Sequence, residues 1–324
     1  MPEPSDWSFP DALQPRPDQV AFDLASALDA VVSLRAEVPE DAFTAPLLGT
    51  ERTGSGVVIR EDGLVLTIGY LVTEAETIWL ATNSGKVVPG HALGFDQATG
   101  FGLIQALGRL DVPALARGAA SSVAAGDEVI VAAQGGRAHA LKAKILSKRE
   151  FAGYWEYLLD EAMFTVPGHP HWSGAALIGS DGRLLGIGSL LVEERIERKK
   201  VQGNMFVPAE LLEPILDDLL TTGRARRAPR PWLGMYTAET EGKLVVGGLA
   251  KRGPAERAGV REGDQVIAVA GEGVLGLPEL YRRVWTLGGP GAEIPLTVMR
   301  KGQRVEARII SADRADFLRK PKLH

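Results

Sequence analysis

The sequence predicts a mostly β protein, a long strand-rich region followed by a small α+β unit. Three observations carry that expectation. Short apolar runs rich in β-branched residues recur from Thr53 to Leu191, separated by Asp-Gly and Asn-Ser-Gly turns. Helical periodicity is weak through the same stretch. A basic, proline-rich tract, RARRAPRP, then leads into a segment that alternates strands and turns around one helical run, PELYRRVWTLG.

The elements follow in order. Residues 1–17 are rich in proline and acid and are expected to be irregular. From Asp18 to Val38 the apolar positions Val20, Phe22, Leu24, Leu28, Val31, Val32 and Leu34 suit a lead-in helix, so 1–50 is read as an N-terminal segment outside the strand-rich body. Strand-like runs begin with GSGVVI, GLVLTIG and TIWLAT and continue to RLLGIGSLL. Many short strands at close spacing suggest a barrel or a sandwich, with room for two small barrels at about 51–118 and 119–208. Residues 208–223 form the clearest helix, with Pro208 at the start and Gly223 just past the end, and close a body spanning 51–223. Residues 224–230 read as a linker, 231–312 as a separate α+β unit and 313–324 as a tail.

Composition narrows the function classes. The chain has 324 residues, enough for two or three compact units. Apolar residues make up 45% and charged residues 24%, which argues against long disorder. The net charge of -5 gives no basic excess for nucleic acid. There is no cysteine, so disulfides and thiolate metal sites are excluded. The five histidines, His91, His139, His169, His171 and His324, form no metal-ligand pattern, and no cofactor is expected. The N-terminus lacks a basic start with an apolar run, and no segment approaches 18 unbroken apolar residues. The chain as written is therefore expected to be cytoplasmic with no membrane span, or periplasmic if the start is misassigned.

Five segments, in order, resemble the HtrA (high-temperature-requirement) family of serine proteases. Gly54-Ser55-Gly56-Val57-Val58-Ile59 with Asp62-Gly63 and Leu66-Thr67 is similar to the strand and turn that lead to the family's catalytic histidine. Gly94-Phe95-Asp96-Gln97-Ala98-Thr99-Gly100-Phe101-Gly102-Leu103-Ile104 resembles G-x-D-x-x-T-D-L-A-V-L. Trp172-Ser173-Gly174-Ala175-Ala176-Leu177-Ile178, with Asp181-Gly182, resembles the segment around the nucleophile. Gly203-Asn204-Met205-Phe206-Val207-Pro208 resembles G-F-A-I-P and the closing helix. Pro231-Trp232-Leu233-Gly234-Met235, Gly253-Pro254-Ala255-Glu256-Arg257-Ala258-Gly259-Val260 and Gly263-Asp264-Gln265-Val266-Ile267 resemble a PDZ domain. The resemblance implies a trypsin-like double six-stranded β-barrel followed by one small α+β PDZ domain. Fold is a separate matter from function.

Aligned on those motifs, Ser173 stands at the nucleophile, Tyr70 at the histidine and Gly100 at the aspartate. A serine hydroxyl is a weak nucleophile until a base takes its proton. Imidazole suits the task because its pKa of about 6.5 lies near working pH. A phenol, with a pKa of about 10, stays protonated. Gly100 has no side chain with which to orient a base. Losing the base costs on the order of 10⁶ in turnover. The family's oxyanion turn has glycine two residues before the serine, where this chain has His171 and then Trp172, so the oxyanion region His171, Trp172 and Ser173 is expected to be altered. His169 and His171 are candidate substitute bases, though a side chain two residues from Ser173 reaches its hydroxyl only through a strained turn.

Each of these residues also has a plain structural reading. Ser173 is then a turn residue, Tyr70 and Trp172 are core aromatics that fill the vacated space, and His91 and His139 lie on strand or loop surfaces. Glu193 to Lys200 is then a solvated charged loop.

In the PDZ-like unit the resemblance implies that Trp232, Leu233, Gly234 and Met235 form the loop whose amides hold a peptide's terminal carboxylate, with Leu233 and Met235 lining a pocket. Leu280, Tyr281 and Val284 on the helix 278–287 are the expected opposite wall. The leading expectation is thus a catalytically impaired protease homologue that binds peptide termini or unfolded segments as a scaffold or regulator. Two alternatives stand beside it: an active serine endopeptidase using Ser173 with a non-standard base, and an assembly protein joined through its lead-in helix. By resemblance a homotrimer, or a mixed assembly with an active paralogue, is expected.

Overall fold

The computed structural model describes residues 7–197 and 199–319. The expectations for residues 1–6, Arg198 and 320–324, His324 among them, lie outside the described residues. The chain divides into two compact units. The larger holds most of residues 1–149 and 161–226, and the smaller holds 150–160 with 227–319.

In the larger unit six strands close a first barrel: β1 (Val31–Glu37), β2 (Glu51–Arg60), β3 (Leu64–Ile68), β4 (Thr77–Ala81), β5 (Val87–Phe95) and β6 (Phe101–Ala106). Their order around the barrel is β1-β2-β3-β6-β5-β4, with every pair antiparallel. β3 is buried along its whole length, and Leu66 faces Leu103 across the β3–β6 pair. Closure removes the unpaired edges that an open sheet of such strands would expose.

The expected helix over 18–38 is a correction. Besides a 3-10 turn at 17–19, only α1 (Leu24–Asp29) is helical, capped where the Asp23 carboxylate accepts from the Ser26 amide. Residues 31–37 instead form β1, which seals the first barrel between β2 and β4. The physical reason is closure. Val31, Val32, Leu34 and Ala36 are fully buried as barrel strand, a gain no isolated helix of this length offers. The barrel body therefore begins some twenty residues before position 51. A single turn of helix, α2 (Ala45–Leu48), sits between β1 and β2.

A second barrel follows: β7 (Glu128–Ala132), β8 (Ala140–Gly153), β9 (Tyr157–Val166), β10 (Ala176–Ile178), β11 (Leu184–Ile196) and β12 (Lys199–Pro208). They close in the order β10-β11-β12-β9-β8-β7. Val131, Leu141, Leu177, Leu185 and Phe206 form its core. Residues 193–200, expected as a charged loop, belong mainly to the ends of β11 and β12, paired from Glu193 opposite Gln202 to Ile196 opposite Lys199. Backbone pairing holds this charged hairpin, while its side chains are largely exposed or half-buried. The helix expected over 208–223 is a 3-10 segment at 209–215 followed by α3 (Leu216–Thr222), because Pro214 cannot donate to a continuous α-helix.

The smaller unit has a sheet of β13 (Met235–Thr240), β14 (Lys243–Leu249), β15 (Gln265–Val269), β16 (Glu272–Gly273), β17 (Glu293–Arg300) and β18 (Gln303–Ile310), with α4 (Pro254–Arg257) and α5 (Leu277–Thr286). The order is β13-β14-β15-β17-β18, with β16 paired to β15. Leu233, Met235, Val246, Leu280, Val284 and Ile294 lie in its core. Residues 150–160, the tip of the β8–β9 hairpin, belong to this unit although they are remote in sequence, and Leu158 is buried in the same core. No helix among the described residues is long and apolar enough to cross a membrane.

Candidate functional site

Ser173 and Tyr70, 103 positions apart, are brought together in the larger unit. Tyr70 lies in a 3-10 turn, 69–71, at the end of β3, and Ser173 lies in the turn before β10. Buried Arg52 fixes the first turn by donating to the carbonyls of Tyr70 (2.7 Å) and Thr73 (2.9 Å). Gly174 fixes the second. Its φ is +74°, and a Cβ there would stand 1.9 Å from the Ser55 carbonyl of β2, so no other residue fits. The Ser55 amide in turn donates to the Ser173 carbonyl at 2.8 Å. The GSG strand and the serine turn thus lock each other in place.

The Tyr70 hydroxyl is 2.5 Å from Ser173 Oγ and 2.9 Å from the Ser189 carbonyl. A phenol has one proton to donate, and a carbonyl can only accept. Both bonds are satisfied only if Tyr70 donates to Ser189 and Ser173 donates to Tyr70. The serine proton therefore points at a neutral phenol. Loss of water around that phenol pushes its pKa up to about 12, against the opposing effect of its bond to Ser173. At neutral pH this oxygen does not accept a proton.

Gly100, at the expected aspartate position, ends a turn held by the buried Asp96 carboxylate, which accepts from the Thr99 amide and hydroxyl. The Gly100 carbonyl accepts from the Gly69 amide at 2.6 Å. Backbone thus meets backbone where a carboxylate would orient an imidazole.

The two histidines near Ser173 are engaged elsewhere. His169 is fully buried. Its Nε2 is 2.8 Å from the His139 carbonyl, which makes Nε2 the donor, and its Nδ1 accepts from the His171 amide at 3.0 Å. Burial depresses its pKa to about 4. Both ring nitrogens are spent on backbone, so His169 cannot serve Ser173. The exposed His171 ring stacks on Trp7 with centroids 5.1 Å apart, and burial, then nearby His139, lowers its pKa. Trp7 also lies 4.6 Å from His139, which the sequence left as a plain surface residue. The His171 amide, two residues before the serine, donates to His169 and is diverted from any oxyanion. Trp172 is half-buried, and its carbonyl accepts from the Ala175 amide within the turn.

The smaller unit brings Leu233, Gly234, Met235, Leu280, Tyr281 and Val284 together at the start of β13 and on α5. Trp232 departs from expectation. Its backbone pairs with Ala312 and its ring packs on Phe317 at 4.8 Å, so it is an anchor of the C-terminal segment rather than part of a cradle. The amides of Leu233, Gly234 and Met235 do converge on a carboxylate, that of Glu156 at the hairpin tip. Oε1 accepts from Gly234 (2.7 Å), Met235 (3.1 Å) and Leu233 (3.2 Å), and Oε2 accepts from Leu233 (3.0 Å). Desolvation pushes the Glu156 pKa up to about 7 despite those amides and the charge of Arg314. Sequence reasoning missed Glu156 and Arg52. The available signal for Glu156 was a lone carboxylate inside the aromatic run FAGYWEY, 77 to 79 positions before the loop it meets.

Comparison with known proteins agrees with the fold. Residues 54–187 match the trypsin-like peptidase domain family and residues 231–310 the PDZ domain family. A probable periplasmic serine endoprotease DegP-like of Halomonas elongata is 25% identical over 280 residues, covering 81% of this chain and 57% of that protein. The DegP-like protein of Chlamydia muridarum is 25% identical, covering 78% and 52%. Serine endoprotease DegS of Escherichia coli is 25% identical, covering 79% and 75%. The chain spans about half the length of the DegP-like relatives it matches. The solved structure of the HtrA-type protease AlgW with a decapeptide shares the fold at a TM-score of 0.51 and 21% identity, covering 93% of this chain and all of that one. With both domain matches in order and the two closed barrels in place, the chain is an HtrA-like protein, a trypsin-like peptidase domain followed by a PDZ domain.

Proposed function

We propose that this chain is a catalytically impaired HtrA-family protein that binds peptide carboxy-termini or unfolded segments through its PDZ domain, as a scaffold or regulator. One observation carries the reading: Ser173 Oγ faces the phenol of Tyr70 at 2.5 Å, where an active triad needs an imidazole. Supporting it, His169 spends both ring nitrogens on backbone, and the His171 amide is turned away from an oxyanion. Peptide binding needs no proton transfer, so it outlives the triad. The AlgW structure with a decapeptide is the precedent among similar folds.

The test is labelling with a fluorophosphonate probe beside a casein cleavage assay. The expected outcome is no Ser173-dependent labelling and no cleavage above a Ser173→Ala control. Strong labelling lost in Ser173→Ala, together with cleavage, would overturn the reading. It would favour the second reading, a serine endopeptidase with a non-standard base, which rests on the retention of Ser173 at a well-formed turn. Against that reading, the phenol pKa is raised rather than lowered, so tyrosinate is scarce at neutral pH. The assembly reading relied on a helix over 18–38, of which 24–29 is helical and 31–37 is barrel strand. A homotrimer, or a mixed assembly with an active paralogue, stays an expectation of the family resemblance. The names of the DegP-like relatives place those proteins in the periplasm, and nothing in the described residues favours the cytoplasm for this one.

A further inference from the structure

The amides that a PDZ domain offers to a peptide terminus are already engaged by the chain itself. Three consecutive residues, Leu233, Gly234 and Met235, point their N–H groups at the Glu156 carboxylate. The hairpin tip also meets β13 through its backbone. The Thr237 amide of β13 donates to the Tyr154 carbonyl at 2.9 Å, a backbone bond of the kind made in strand addition. From the other wall, the Tyr281 hydroxyl of α5 donates to the Gly153 carbonyl at 2.7 Å and accepts from the Glu156 amide at 3.3 Å. Arg282, next along α5, is paired with Glu150 and Asp160 at the base of the tip. Glu156 has φ +60°, the left-handed region that non-glycine residues avoid, and the bonds to its side chain hold it there.

We infer that the hairpin tip 150–160 is an internal ligand of the PDZ groove, with the Glu156 side chain standing in for a peptide's terminal carboxylate, so that a peptide binds only by displacing it. The inference rests on the peptide-binding reading above and adds its regulation. Three features separate it from a chance contact. The acceptor is a carboxylate, the chemistry this loop recognises. It meets a run of three adjacent amides rather than one. The strand-addition bond and the α5 bonds are present together. A tethered segment competes at an effective concentration in the millimolar range for short tethers. Only a terminus that binds well, or a partner that withdraws the hairpin, gains the groove.

The experiment uses the full chain, wild type and two variants, Glu156→Gln, which keeps the shape and removes the charge, and Glu156→Ala. The first readout is amide exchange over residues 232–236 without peptide. At least tenfold faster exchange in Glu156→Ala is expected, and unchanged protection in that variant overturns the internal ligand. The second readout is binding of a fluorescein-labelled nonapeptide ending in valine with a free carboxylate, beside its amidated counterpart. At least tenfold tighter binding of the free acid by Glu156→Ala is expected, with no gain for the amide. Equal affinity in wild type and Glu156→Ala overturns the competition. Faster exchange with no binding of the free acid by any of the three chains overturns peptide binding itself, and leaves Glu156 as a structural clamp of the loop. Unchanged thermal midpoints within a few degrees confirm that the variants fold.

Discussion

The decisive chemistry at the residue scale is the identity of the group that meets a serine proton. Ser173, Gly174 and the GSG strand keep the architecture of a nucleophile turn, yet the partner is a phenol with its pKa raised to about 12. Two substitutions install the side chains that the family resemblance implies, Tyr70→His and Gly100→Asp, and the expected result is still no casein cleavage. The His171 amide stays bonded to His169 Nδ1, so the oxyanion would go unstabilised. The same double variant is expected to be less stable. Gly100 has φ +83°, and a side chain in left-handed backbone costs about 1–2 kcal/mol. Urea melts of the double variant against Tyr70→His alone measure that cost. Cleavage by the double variant would show that the His171 amide is free to turn. The sequence made Tyr70 and Gly100 legible because each follows a motif whose spacing is fixed. It could not show that His169 and His171 are spent on backbone and on each other, because that depends on a fully buried imidazole meeting the His139 carbonyl 30 positions away.

At the scale of the element, the β8–β9 hairpin tip carries a pH dependence. The carboxyl of Glu156 has an ordinary pKa of 4.5 when free, raised to about 7 in the cradle. A group whose pKa is higher in the closed state holds its proton more tightly there. Closure is therefore favoured in full below pH 4.5 and weakens as the pH rises from 4.5 through 7. The groups facing Glu156 are Tyr236 on β13, Tyr281 on α5 and Arg314. The phenols of Tyr236 and Tyr281 are both raised by burial and stay neutral across this range. The peptide's own terminal carboxylate, with a pKa of about 3.5, stays ionised throughout. A free-acid peptide is thus expected to bind on the order of 10-fold more tightly at pH 8 than at pH 5.5, and Glu156→Gln to lose that difference. Fluorescence anisotropy titrations at the two pH values decide it; equal slopes in wild type and variant would sink it. Strand content and the α5 helix were readable at this scale from β-branched runs and from apolar spacing. β1 was not, since Val31 and Val32 satisfy both a helical and an extended pattern until the barrel offers a place between β2 and β4.

Across the whole molecule, the nucleophile turn depends on the two barrels meeting closely. Gly174 of the second barrel lies against the Ser55 carbonyl of β2 in the first, with Thr67 Oγ1 donating to that same carbonyl at 2.7 Å. Gly174→Ala would drive a methyl into backbone, and overpacking of that kind costs about 1–3 kcal/mol or more. The expected outcome is a fall in thermal midpoint of several degrees, read by calorimetry, or failure to fold; a midpoint equal to wild type would show that the turn is loosely held. By itself the sequence determined the pairing of a trypsin-like domain with a PDZ domain, and it put Tyr70 and Gly100 where the family resemblance implies a histidine and an aspartate. Those properties reside in local strings: a glycine that a turn demands, a β-branched alternation, one residue type at a fixed offset from a motif. The tertiary structure alone decided where the serine proton points, what the two histidines do and which carboxylate fills the PDZ loop. Each of these is a contact between residues far apart in the chain, made only when a fold brings a donor within about 3 Å of an acceptor, and no spacing along a strand records that distance.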